Sequence, residues 1–219
     1  MASTPTTLHD DLAAIVSQIP PTIEARITAG IERVTAGGPY GTEIGAIAPD
    51  FELPDTDSTE VSLASLLAAE PVVISFYRGD WCPFCNLELR ALHASLPEIR
   101  ALGASVVAIS PQAPDRAMAL RAKHELGFAV LSDVDQSVIS AYGLLYSIDE
   151  DSRDLFENTF RNDIAGHNAD GTWRLPIPAT FVVDTHGAVR DRFVSTEYRT
   201  RMEPASIVET LRQLAGERG

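Results

Sequence analysis

Cysteine is scarce in this 219-residue chain: there are two, Cys82 and Cys85. Thiols three positions apart cannot staple a fold, so a disulfide framework is excluded and a reducing, cytoplasmic setting is expected. Positive charge is scarce too. Lys+Arg 17 against Asp+Glu 31 gives a net charge of −14, which argues against nucleic acid as a partner. No stretch approaches the roughly 20 apolar residues of a membrane helix. No Lys or Arg precedes Arg26, so the amino terminus does not read as a secretory signal. Internal repeats and low-complexity tracts are absent. What remains is an ordinary globular composition, 45% apolar and 22% charged, in a chain long enough to bury roughly 70% of its unfolded surface without a staple.

Apolar residues recur at helical spacing from Leu12 to Ile19 and again from Ile23 to Val34, interrupted by Pro20-Pro21, which predicts two amphipathic helices. This arm is expected to pack on its own domain or on a second copy of the chain, as in a homodimer. Gly37-Gly38-Pro39-Tyr40-Gly41 reads as a linker, dividing an extension over 1–42 from a main domain over 43–219. Within that domain, strands are predicted over 72–77, 104–110 and 129–132, alternating with helices over 85–103, 115–125 and 136–142. The alternation implies an α/β fold with a largely parallel core. Thr180–Asp184 and Ala188–Val194 flank a hairpin turn, and a last helix follows from Pro204. The acidic stretch 143–176, with some helix expected near 155–164, reads first as an insertion loop over a sheet edge. Its alternative is a lid or partner surface beside the cysteines.

Chemistry concentrates in Trp81-Cys82-Pro83-Phe84-Cys85, at a predicted strand-to-helix junction. A free thiol with pKa near 8.5 supplies little thiolate at neutral pH, and the positive end of a helix lowers that value. Side chains three apart in a first helical turn lie roughly 5–6 Å from one another, near enough for a small adjustment to close a disulfide. Arg78 and Trp81 stand at the mouth of this turn, the cation favouring thiolate and the indole limiting solvent. A lone Cys-x-x-Cys is also half a zinc site, but no second pair exists and His93, His124 and His167 show no ligand spacing, so no metal is expected. Two inert buried thiols form the remaining bland reading. Pro178, just ahead of a predicted strand, is a candidate cis-proline turned toward the site, or simply a strand-initiating proline.

Gly45-Ala46-Ile47-Ala48-Pro49-Asp50-Phe51, Val61-Ser62-Leu63, Ser75 to Cys85 and Ile177 to Gly187 together resemble the alkyl hydroperoxide reductase/thiol-specific antioxidant (AhpC/TSA) branch of the thioredoxin-like superfamily, a peroxiredoxin-like pattern. The resemblance implies a thioredoxin-like fold with a central mixed sheet flanked by helices. It implies a thiol-dependent peroxidase that takes hydroperoxides, is restored by a dithiol protein such as a thioredoxin, and needs no cofactor. Two templates overlie one segment. The peroxiredoxin pattern makes Cys85 the peroxidatic thiol, with its Pro and Thr positions filled by Arg78 and Cys82. The thioredoxin pattern makes Cys82 the nucleophile, Cys85 the resolver and Pro178 the cis-proline. The arginine that peroxiredoxins place ahead of the Phe-x-x-Asp strand is replaced around Pro178, leaving Arg78 as the substitute cation. The alternatives are a thioredoxin-type disulfide oxidoreductase and a non-catalytic interaction module using the arm or the acidic insertion.

Overall fold

A computed structural model describes residues 7–217; the first six residues of the expected extension lie outside the described residues. Thr7 opens α1 (Leu8–Val16) with a reciprocal cap: its hydroxyl accepts from the Asp10 N–H, and the Asp10 carboxylate accepts from the Thr7 N–H. Pro21 then starts α2 (Pro21–Ala36), where its fixed φ suits a first helical position. The arm packs on its own chain. Leu8 and Leu12 are buried in the same apolar cluster as Leu89, Leu92 and Leu96, and Ile27 of α2 is also buried.

A short hairpin, β1 (Glu52–Pro54) and β2 (Glu60–Ser62), leads into α3 (Leu63–Leu67), three elements that the periodicity does not announce. The central sheet comprises β3 (Val72–Phe76), β4 (Ser105–Ser110), β5 (Ala129–Ser132), β8 (Ala179–Val183) and β9 (Val189–Val194), in the order β5-β4-β3-β8-β9. β3, β4 and β5 run parallel, β8 is antiparallel to β3 and β9 antiparallel to β8, so the sheet is mixed. Every residue of β3 is buried, as expected of a strand covered on both faces. Val73 faces a layer containing α4 (Pro83–Ala101), α5 (Pro114–Lys123) and α9 (Pro204–Glu217). Val72, Ile74 and Phe76 face the other layer, with Leu63 and Leu67 of α3 and Val138 and Ile139 of α6 (Ser137–Ala141). That alternation is the two-residue period of a strand.

The stretch 143–176 is folded. β6 (Leu145–Ser147) pairs antiparallel with β7 (Arg174–Pro176), and between them lie α7 (Glu150–Asp154), a wide π-type turn over Leu155–Thr159 and α8 (Ile164–His167). Its helix starts earlier than expected because Asp149 caps it, accepting from the Ser152 N–H at 3.0 Å, with Glu150 and Asp151 in the favourable first turn. Arg26 and Arg33 of α2 hold it by ion pairs to Asp154 at 2.7 Å and Asp149 at 2.9 Å. Gly30 permits the close approach, since a Cβ there would sit 2.8 Å from Ser152 Oγ.

Leu92 is 1% exposed at the centre of the α4 layer. Leu92→Ala is expected to destabilise by about 2–5 kcal/mol, with Leu12→Ala toward the lower end because its cluster edge can collapse. Urea midpoints at unchanged m-value measure both.

Candidate active site

β3 delivers the chain into Tyr77-Arg78-Gly79-Asp80-Trp81, and α4 begins one residue later with Cys82 at its N-cap and Pro83 at its first position. Gly79 makes the turn possible. Its φ is +147°, and a Cβ there would lie 2.5 Å from Trp81 Nε1. The turn is pinned to the end of β4, where Gln112 accepts from the Asp80 N–H at 2.7 Å and donates to the Asp80 carboxylate at 2.5 Å. Asn86 reaches back to the Asp80 carbonyl at 2.9 Å.

The two thiols hydrogen-bond to one another, and both are buried, Cys82 at 1% and Cys85 at 0% exposure. Donors converge on the second. Arg201 Nη2 lies 3.1 Å and the Arg78 N–H 3.4 Å from Cys85 Sγ. Arg201 is in turn held by Glu88, whose carboxylate accepts from Arg201 Nε at 2.5 Å, and by the carbonyls of Tyr198 and Thr200. The other Glu88 oxygen accepts from Thr180 Oγ1 of β8 at 3.1 Å. Arg78 is 1% exposed and caged by rings, its guanidinium carbon lying 4.1 Å from the Tyr198 centroid, 4.9 Å from Trp81 and 5.4 Å from Phe156.

Burial pushes both thiols up. For Cys82 the hydrogen bond from Cys85 and the charges of Arg78 and Arg201 outweigh it, lowering the thiol to about 6. Cys85 is driven well above its ordinary value by burial and by the adjoining Cys82 charge. The pair therefore carries one negative charge at neutral pH, and that ionisation belongs to both sulfurs together. Electrostatics alone leaves the charge on Cys82, whereas the direct donors point at Cys85. N–H donors of this kind stabilise a thiolate at Cys85, so the two sulfurs compete for the one charge. Burial also raises Glu88, to about 7, against the lowering pull of Arg201.

A cavity of about 400 Å³ opens onto this turn. Cys82, Arg78 and Trp81 lie in its wall; Ile15, Ile19 and Ile27 of the arm face it, and Phe156 and Phe160 of the 143–176 stretch complete it. That stretch is thus beside the cysteines, and its first reading as a loop over a sheet edge is corrected. Phe156 buries itself there, meeting Trp81 edge to face at 5.6 Å.

Of the sequence-derived candidates, Cys82, Cys85, Arg78 and Trp81 are brought together. Pro178 is not among the cavity residues, and its peptide bond is trans: among the described residues the cis bond is Gly38–Pro39. Pro178 is buried where it initiates β8, and its carbonyl accepts from the Ser195 N–H. Sequence reasoning missed Arg201, Glu88, Thr180 and Tyr198. Glu88 left a signal, since it interrupts the apolar stripe of α4 one turn beyond Cys85. Arg201 left none, because it arrives from a loop 116 residues away.

A thioredoxin-like mixed sheet carrying a dithiol at a helix start defines a thiol redox protein. The profile of the AhpC/TSA family matches residues 44–192, and the chain belongs to that family. It is 32% identical over 149 residues to "Peroxiredoxin Bcp" of Escherichia coli (strain K12), covering 68% of this chain and 83% of that one. It is 30% identical over 171 residues to "Peroxiredoxin Q, chloroplastic" of Gentiana triflora, covering 78% and 65% respectively. Its fold matches that of peroxidoxin BcpB from Mycobacterium tuberculosis with a TM-score of 0.63 at 24% identity, over 79% of this chain and 98% of that one.

The lowered ionisation sets a pH dependence. Thiolate is present above about pH 6 and lost as pH falls through it. Thiolate absorbance or alkylation rate is expected to rise across that midpoint as a single equivalent, and Arg201→Met to move the midpoint up by about 1–3 units.

Proposed function

We propose that this chain reduces hydroperoxides by a dithiol–disulfide cycle in which the Cys85 thiolate is the attacking sulfur. The observation that carries the assignment is the pair of N–H donors, from Arg201 and the Arg78 backbone, aimed at Cys85 Sγ. Cys85 S⁻ attacks the terminal peroxide oxygen: an S–O bond forms, the O–O bond breaks, and the departing alkoxide takes up a proton. The Cys82 sulfur then attacks Cys85, forming the S–S bond and expelling water. A dithiol protein of the thioredoxin type returns both electrons by thiol–disulfide exchange, which places the cycle in a reducing compartment such as the cytoplasm.

Arg78 supports the first step, for its guanidinium lines the cavity and its Nε has no hydrogen-bond partner among the described residues. A donor of this kind suits the developing alkoxide in a water-poor site. The apolar walls suit an organic hydroperoxide better than hydrogen peroxide. Among the described residues, no helix is long and apolar enough to cross a membrane.

One observation favours a second reading, a thioredoxin-type disulfide oxidoreductase. Cys82, and not Cys85, lies in the cavity wall, so a bulky disulfide would meet Cys82 first.

Single-turnover oxidation separates the two. Cys82→Ser with an added small thiol is expected to keep consuming peroxide while Cys85→Ser is inert; activity retained by Cys85→Ser would overturn the assignment to Cys85. Ile19→Asn is expected to raise KM for cumene hydroperoxide about tenfold, the scale of a lost apolar contact, while hydrogen peroxide turnover stays within a factor of two or so.

A further inference from the structure

Glu88 is a buried carboxylate that the peroxide chemistry above does not touch. Its side chain is 2% exposed and that of its partner Arg201 1%, so neither charge is screened by water. The groups facing it are few and come from three directions: Arg201 from the segment ahead of α9, Cys85 from its own helix, and the Thr180 hydroxyl from β8. Arg201 bridges Glu88 and Cys85, so whatever charge one acceptor loses is felt by the other through a single guanidinium.

That bridge has a consequence when the sulfurs change oxidation state. In the dithiol form Arg201 is neutralised by a thiolate. In the disulfide form the thiolate is gone, and an uncompensated buried cation would carry a desolvation penalty of several kcal/mol. Resting on the proposed disulfide cycle, we propose that Glu88 is a redox-linked proton store acting through Arg201, protonated while the Cys82–Cys85 pair bears a thiolate and ionised once the pair is a disulfide.

The atoms balance. The monoanionic pair, protonated Glu88 and ROOH give the disulfide, ionised Glu88, ROH and water, with no net proton drawn from solvent. The buried set keeps the same net charge before and after. Reduction reverses the proton movement: two electrons and two protons enter, one proton going to the sulfur pair and one to Glu88. The acidity of Glu88 agrees, because burial and the Cys85 charge raise it to about 7 in the reduced protein, close to the working range. Loss of the thiolate removes one raising influence and leaves the lowering field of Arg201. Glu88 is a positioning residue in this scheme, since its proton reaches the reaction only through the balance of charge around Arg201.

The test is the midpoint potential of the Cys82–Cys85 pair as a function of pH, measured by equilibration with dithiothreitol in the full chain, for wild type and Glu88→Gln. Between about pH 6 and 7 the wild type is expected to take up two protons per reduction and Glu88→Gln one. One proton fewer is a tenfold smaller change in equilibrium constant per pH unit, a slope shallower by about 30 mV. A structural role for Glu88 would shift the potential and leave the slope alone, so equal slopes overturn the proposal. Should Glu88→Gln fail to fold, the infrared difference spectrum of the wild type decides: a carboxylic-acid C=O band is expected to grow in on reduction, and its absence overturns the proposal. If mass analysis finds no Cys82–Cys85 disulfide at any potential, the cycle itself falls and this inference with it. A disulfide that forms with an unchanged slope removes the proton store alone.

Discussion

One buried guanidinium organises the reactive end of this protein. Arg201 touches Cys85 on one side and Glu88 on the other, and neither acceptor is reached by solvent. Removing the arginine from such a set would leave a buried negative charge uncompensated in a low-dielectric interior, which is far costlier than the loss of a surface pair. The remainder of the local architecture follows. α4 must start where it does so that Cys85 and Glu88 share one face, β8 must lie next to β3 so that Thr180 reaches the carboxylate, and the chain after β9 must turn back over α4 to deliver the arginine.

The second cation is held by different means. Arg78 lies among the rings of Trp81, Tyr198 and Phe156 and gains from their negative faces what Arg201 gains from a carboxylate. Those rings come from three separate parts of the chain. The aromatic cage therefore doubles as the seam along which the 143–176 stretch and the segment carrying Arg201 meet over the sulfurs, and the isoleucines of the arm close the remaining side.

Where local pattern and tertiary packing agree, the fold was legible. β3, β4, β5 and α4 follow from β-branched runs and leucine spacing, and the strand–turn–helix setting of Cys82 and Cys85 follows from them. Elements stabilised by polar contacts rather than apolar periodicity escaped, as the Asp149-capped α7 and the β1–β2 hairpin show. At the site, Arg78 and Trp81 could be named because they adjoin the motif. Pro178 misleads, since a proline ahead of a strand carries the same local signal whether its peptide is cis or trans. Arg201 and Tyr198 were invisible for a physical reason: their importance arises from a fold-back joining residues more than a hundred positions apart, and no window of sequence contains both ends of that contact.

Arg199 joins two distant parts of the chain. It grips Glu24 of α2 at 2.6 Å and Glu197 at 2.6 Å, in the same short segment that presents Tyr198 and Arg201. Glu24 of the second helix and the arginine beside Cys85 are thus joined through one short segment, and both lie outside the span that the family profile matches. The helix that lends Ile27 to the cavity wall and the segment that lends Arg201 to Cys85 are anchored to each other, so wall and cation share one foundation.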